Sequence, residues 1–406
     1  MADNTHDLYL NNQLRHFWKF LEEDLTEEDW EDSYKDSWCN LNQIESFSGS
    51  IPSILSHSLG EAQFGVNHWS LSPFQRIYYL IKPFFPRPLA IKVRQYHRFK
   101  QETKFSLSWP IEDRYVRLQF EAASKILKDK NLSQIPFIGF WPNNNRCAFI
   151  LTHDVETLQG QDFVRTLANL EQEYGFRSSF NFIPERYAVD RELLEELRSR
   201  GFEIGIHGLK HDGKLFTSRR VFEQRVKRIN HYLQEWKAVG FRAPLTYRHP
   251  LWMQSLNIEY DSSFFDTDPY EPISGGTMSI WPFFIGHFVE LPYTLPQDHT
   301  LMVILGETTP RLWIEKVNFI ERYYGMILLN THPDYLCQPE YLGIYREFLQ
   351  EMKARQGYWQ ALPREVARWW RLRHQANGIA DLPNGSLFYL RRTETGSSLV
   401  SQPEER

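Results

Sequence analysis

The residues best suited to chemistry lie in the stretch Gly205-Ile206-His207-Gly208-Leu209-Lys210-His211. Two histidines four residues apart follow the apolar run 202–206, which reads as a buried strand. Both imidazoles therefore sit where a strand hands over to a loop or a first helical turn. At that spacing they can share one face and grip a single divalent cation. A catalytic zinc needs a third protein ligand and an open position. Candidates stand upstream, where the apolar run 147–152 ends in His153-Asp154-Val155-Glu156. Side chains alternate along a strand, so Asp154 and Glu156 share one face and His153 and Val155 the other. One carboxylate could bind the metal and the other act as a base. Taken alone, either is explained as well by a solvated strand end or a helix cap.

The elements that must position these groups begin at Cys147. Strand-like apolar runs at 147–152, 178–183, 202–206, 239–242, 258–261, 288–291, 301–305 and 326–331 alternate with helical patterns at 162–174, 190–200, 219–237, 311–324, 339–355 and 363–374. The 219–237 segment carries an apolar stripe of Val221, Phe222, Val226, Ile229, Leu233 and Trp236. Such alternation predicts an α/β fold in which seven or eight parallel strands with helical crossovers close a barrel, regular or irregular. Functional groups then belong at the carboxyl ends of strands, where the carboxylates and histidines fall. Residues 1–110 lack the alternation and read as a mainly helical or irregular N-terminal extension. Residues 111–146 read as a lead-in, 147–375 as the barrel, and 376–406, polar and rich in Gly, Ser and Thr, as a loose tail.

Composition narrows the function classes. The chain has 406 residues and a net charge of −5, so nucleic acid is not an expected partner. Cys39, Cys147 and Cys337 are widely spaced, which argues against a disulfide framework or a structural zinc knot. The start, Met1-Ala-Asp-Asn-Thr-His-Asp, has no basic then apolar leader, and no apolar run is long enough to span a bilayer, so the expectation is a cytoplasmic protein. Glu22 to Asp36 is acidic around Trp30 and Tyr34. Lys82 to Lys104 is basic and aromatic, with Arg87, Lys92, Arg94, Arg98 and Lys100; it reads first as a solvated helix face and second as a peripheral contact with anionic lipid or polymer. Trp252, Trp281 and Trp313 either stack on sugar rings or fill the core. Nothing in the pattern fixes the oligomeric state.

Three further strand ends complete a constellation: Gly240-Phe241-Arg242-Ala243-Pro244, Ile258-Glu259-Tyr260-Asp261-Ser262-Ser263, and Ile327-Leu328-Leu329-Asn330-Thr331-His332-Pro333. Read in order, an acidic strand end, His-x3-His, Arg-x-Pro and a late Leu-x-x-His, residues 147–375 resemble the polysaccharide deacetylase superfamily, the carbohydrate esterases of family 4 type. The resemblance implies a deformed (β/α) barrel. It implies one divalent ion, zinc foremost with cobalt or nickel as alternatives, held with a bound water by Glu156, His207 and His211. Asp154 would be the general base, Arg242 would keep it charged, and His332 would be the general acid. The oxyanion would be met by the metal and a backbone N–H near Ala243 to Leu245. The reaction implied is removal of an acyl group, acetyl foremost, from an N-acyl amino sugar or glycan.

This chain departs from the pattern at two places. Val155 follows Asp154 where the superfamily usually has a second aspartate, so Asp154 as ligand with Glu156 as base stays open. Leu245 follows Arg-x-Pro where tyrosine is usual. Asp298, Glu290 and Asp334 are carboxylates that could orient a histidine. Two other functions remain: hydrolysis of a non-carbohydrate amide on the same fold, and non-catalytic glycan binding or support of polysaccharide assembly.

Overall fold

The structure, a computed structural model, describes residues 5–22, 24–42, 49–65, 68–69, 103–394 and 396–402. A first strand, β1 (Gln134–Ile138), precedes the main sheet. The predicted apolar runs then form β2 (Cys147–Val155), β3 (Ser178–Phe182), β4 (Glu203–His207), β5 (Gly240–Arg242) and β6 (Tyr260–Asp261). Each is buried along its whole length, as strands covered on both faces must be. A hairpin of β7 (Phe283–Ile285) and β8 (Phe288–Glu290) follows, then β9 (Met326–Thr331) and β10 (Tyr358–Gln360).

The sheet runs β10-β2-β3-β4-β5-β6-β8-β7, and β9 pairs with β2. Every pairing but β7–β8 is parallel. β10 takes only Cys147 to Phe149 of β2, leaving Leu151 to Val155 to β3. Between β8 and β9 there is no regular ladder. Thr294 and Leu295 N–H instead donate to the Leu328 carbonyl, and Thr294 Oγ1 donates to that of Met326 at 2.7 Å. The sheet therefore curls into a deformed half-barrel laced shut by loop atoms.

Helices cover the outside, started by the caps their sequences supply. Thr157 accepts from Gly160 N–H at the start of Leu158–Tyr174, and Asp190 accepts from Glu192 and Leu193 N–H at the start of Arg191–Ser199. Arg219–Glu235 buries Phe222, Val226, Ile229 and Leu233 against the sheet.

Several expectations are corrected. Residues 301–305 are not a strand: His299–Ile304 is a short π-helix with all of Thr300 to Ile304 buried. A short, fully apolar run carries no periodicity to separate strand from buried helix. The stretch 376–406 is not a loose tail, because it holds β11 (Leu387–Thr393) and β12 (Gly396–Val400). β11 pairs antiparallel with β1 and with β12, and Phe388 and Leu390 are buried. The alternation of buried and half-buried residues in β11 hides among charged neighbours.

In the N-terminal region, the acidic segment forms the helix Glu27–Asn42, which packs on Arg114–Asp129. Asp29 meets Lys130 at 2.7 Å and Asp36 meets Lys125 at 3.4 Å. The basic stretch from Lys82 lies outside the described residues as far as residue 102. Trp281 and Trp313 are fully buried, with their indole N–H groups on the carbonyls of Tyr324 and Pro296, so both fill the core. Trp252 is half-buried and stacks on His249 at 4.1 Å. Among the described residues, no helix is long and apolar enough to cross a membrane.

Candidate metal centre and its surroundings

The carboxyl ends of β2, β4 and β9 bring Asp154, Glu156, His207, His211 and His332 into one pocket, with Leu245 on its wall. Glu156 Oε1 lies 2.8 Å from His211 Nε2, 3.9 Å from His207 Nε2 and 3.9 Å from His332 Nε2. One atom each from Glu156, His207 and His211 fall within 4.8 Å of one another. Ligand atoms at about 2.1 Å from a tetrahedral zinc stand roughly 3.4 Å apart, so the three need only small adjustments to hold one ion. His207 Nδ1 faces the Arg242 carbonyl at 3.2 Å, which leaves Nε2 for the pocket. His207 Nε2 is buried and makes no hydrogen bond, and His211 Nε2 is buried with Glu156 Oε1 beside it at 2.8 Å. A buried polar atom without a partner is costly, and a cation bound at His207 Nε2 would remove that cost. Burial, with the neighbouring His211 and Arg242 adding to it against the pull of Asp154 and Glu156, lowers His207 to about 4, so the ring is neutral near pH 7. The donor set fits a divalent ion.

Local backbone sets these directions. Gly208 adopts φ +63°, and a Cβ there would meet Pro244 Cγ at 2.3 Å. His211 itself has φ 52°. Glu156 N–H donates to Asp334 Oδ2 at 2.9 Å, and Thr157 Oγ1 donates to the other oxygen of the same carboxylate, so Asp334 fixes the turn that presents Glu156. His153 points the other way, as strand parity requires, onto Glu171 at 2.6 Å and Thr331 Oγ1 at 2.7 Å.

Asp154 sits beside the three metal-ligand candidates. Its oxygens accept from Asn181 Nδ2 at 2.9 Å, Asn330 Nδ2 at 3.0 Å and Arg242 at 3.3 Å. Burial works against its charge, but Arg242, with the histidines and Asn181, outweighs it and holds the carboxyl well below the usual range. Arg242 is 1% exposed and locked by Ser262 (carbonyl at 2.7 Å, Oγ at 2.6 Å), Thr152 and Asn330. Across the pocket, His332 Nδ1 meets Asp298 Oδ1 at 2.7 Å, and His332 N–H donates to Oδ2 at 2.7 Å. Burial disfavours the charged ring, yet Asp298, then Glu156 and Asp154, push its pKa up to about 10.

No protein-family model and no curated protein matches the sequence. Solved structures do match over part of the chain. A candidate polysaccharide deacetylase from Mycobacterium smegmatis is 21% identical over 57% of this chain and 92% of its own, with a TM-score of 0.47. Puue allantoinase is 14% identical over 57% and 92%, with a TM-score of 0.46. The peptidoglycan deacetylase PdaC from Bacillus subtilis is 12% identical over 56% and 92%, with a TM-score of 0.37.

Sequence reading left Asn181, Asn330 and Gln297 without roles. Asn330 stands two residues before His332, so parity on β9 was the signal available for it. Asn181 gives no local signal; it reaches Asp154 because Gly205 next door has no Cβ, which would stand 2.0 Å from Asn181 Oδ1. Of the three carboxylates that could orient a histidine, Asp298 does so. Asp334 instead holds the backbone of Glu156, and Glu290 accepts from Phe264 N–H beside Asp261.

Proposed function

We propose that this chain is a metal-dependent hydrolase that removes an acyl group, acetyl foremost, from an N-acyl amino sugar or glycan. The observation that carries the reading is the convergence of Glu156, His207 and His211 on one point, with His207 Nε2 buried and without a hydrogen bond. Glu156, rather than Asp154, is the carboxylate ligand in this reading, because its Oε1 stands 2.8 and 3.9 Å from the Nε2 atoms of His211 and His207. A divalent ion, zinc foremost, would supply Lewis acidity toward the acyl oxygen and acidify a water.

The chain's own groups divide the remaining work. Asp154, kept ionised by Arg242, orients the attacking water and accepts its proton at Oδ1 or Oδ2. His332, protonated near neutral pH and aimed by Asp298, delivers a proton from Nε2 to the leaving nitrogen or oxygen. The developing oxyanion needs a fixed donor. Ala243 N–H is engaged by Ser263 Oγ at 2.8 Å and Pro244 has none, which leaves Leu245 N–H. A backbone donor is indifferent to leucine replacing tyrosine.

Elemental analysis of wild type, His207→Ala and His211→Ala, alongside release of acetate from N-acetylated sugar oligomers, tests the proposal. Near-stoichiometric metal that disappears together with activity in both variants is the expected result. Activity surviving in both would sink it. Turnover of small amides or ureides in place of sugars would move the reading to a non-carbohydrate amide hydrolase, and ligand affinity without turnover to a glycan-binding protein.

A further inference from the structure

The loop that carries Leu245 is strained. Leu245 has φ 60° and Thr246 φ 53°, and neither is glycine. Left-handed backbone at two successive side-chain-bearing residues persists only where surrounding contacts over-determine it. Arg248 contacts the loop directly, and Glu61 of the N-terminal extension holds Arg248. Glu61, 1% exposed, accepts from Arg248 Nε at 2.7 Å and from Arg248 Nη2 at 2.5 Å. Arg248 is fully buried; its Nη1 donates to the Thr246 carbonyl at 3.0 Å, and its guanidinium lies over Phe264 and Phe265 at 5.1 and 4.7 Å. The same Glu61 carboxylate accepts from Gly276 N–H at 2.9 Å and from Trp69 Nε1 at 3.2 Å. Gly276 follows the bridge between Asp268 and Gly275, which closes the loop bringing Tyr270 and Glu271 to the pocket. Thr246 Oγ1 then donates to Glu271 Oε2 at 2.8 Å, joining the two loops at the pocket wall.

We infer that Glu61 is a positioning residue, through which the N-terminal extension holds the oxyanion-donor loop and the Tyr270–Glu271 loop in the geometry the reaction needs. The inference rests on the hydrolase reading for its kinetic consequence but not for its mechanical one. Glu61 touches neither a metal-ligand candidate nor the space for substrate. Its effect passes through Arg248 to the Thr246 carbonyl and so to Leu245 N–H. The extension is then part of the working site, not an appended module.

The test compares full-length wild type, Glu61→Gln, and the double variant Glu61→Leu/Arg248→Met, which replaces the buried pair by apolar groups if the single variant fails to fold. Three quantities are read: bound metal, amide hydrogen exchange in the peptides spanning 243–249 and 266–276, and kcat and KM on an N-acetylated amino-sugar oligomer. Expected are unchanged metal, exchange in both peptides faster by about tenfold or more, and kcat lower by at least about tenfold with KM near the wild-type value, as for loss of a transition-state donor. Unchanged exchange in both peptides, or unchanged kcat per folded molecule in an active protein, overturns the inference. A wild type inactive on every acetylated sugar defeats the hydrolase reading alone, and the exchange measurement still decides the role of Glu61.

Discussion

At the scale of single residues, the pocket separates two groups of opposite protonation. Asp154 is surrounded by Arg242 and two amide donors and stays ionised, while His332 is surrounded by carboxylates and stays protonated. Removing the charge that acts most strongly on His332 separates this arrangement from a merely structural one. With Asp298→Asn, the pKa of His332 falls from about 10 toward the ordinary imidazole range, because burial is then less opposed. A reaction that needs the protonated ring loses rate as pH rises through that pKa. The alkaline limb of the kcat/KM profile is therefore expected at lower pH in Asp298→Asn. An unmoved limb would remove His332 as the acid. Of this cluster, the metal-ligand candidates and His332 were legible from residue type and spacing. Asn181 was not, since its proximity to Asp154 depends on the empty side of Gly205.

At the scale of elements, strand β4 carries predictions of two kinds. The turn after β4 depends on Gly208, whose left-handed backbone and contact with Pro244 leave no room for a side chain. Gly208→Ala is expected to cost about 1–3 kcal/mol and to separate His207 from His211. Thermal denaturation together with metal content checks it; full metal occupancy in a stable variant would contradict it. At the foot of the same strand Glu203 is 1% exposed, accepting from Tyr260 OH at 2.9 Å and Arg364 N–H at 3.1 Å. Burial, offset only partly by these donors, pushes its carboxyl up to about 7 from 4.5. The folded state thus keeps the proton to higher pH than the unfolded chain does. Its contribution is complete below about pH 4.5 and is lost as pH rises through about 7. Glu203→Gln should therefore flatten the stability profile across that window and exceed wild type at pH 8 by about 3 kcal/mol. Denaturant titrations at pH 5, 6, 7 and 8 measure this, and parallel profiles for the two proteins would refute it.

At the scale of the whole molecule, the barrel is fastened to elements far from it in sequence. Arg373 is 1% exposed and donates to the carbonyls of Gly139 at 3.0 Å, Ile138 at 2.8 Å and Trp18 at 3.4 Å, so one side chain ties the last long helix to β1 and to the N-terminal extension. β11 closes the second sheet against β1, with Leu390 fully buried. Leu390→Ala is expected to cost about 2–5 kcal/mol while leaving metal content unchanged, because the lost contacts lie in the small sheet rather than at the pocket. Loss of metal at temperatures where the variant is folded would show that the small sheet and the pocket are coupled.

The sequence by itself determined the alternating strands and helices and the strand ends at which imidazoles and carboxylates stand. Each of these follows from periodicity and short-range hydrogen bonding. It did not determine the π-helix at His299–Ile304, because an unbroken apolar run has no period to read. Nor did it place β11 beside β1, where pairing spans some 250 residues and depends on backbone groups common to every residue. Only the tertiary structure brought Glu61 against Arg248, since a buried ion pair is specified by the fit of two distant segments and not by either one.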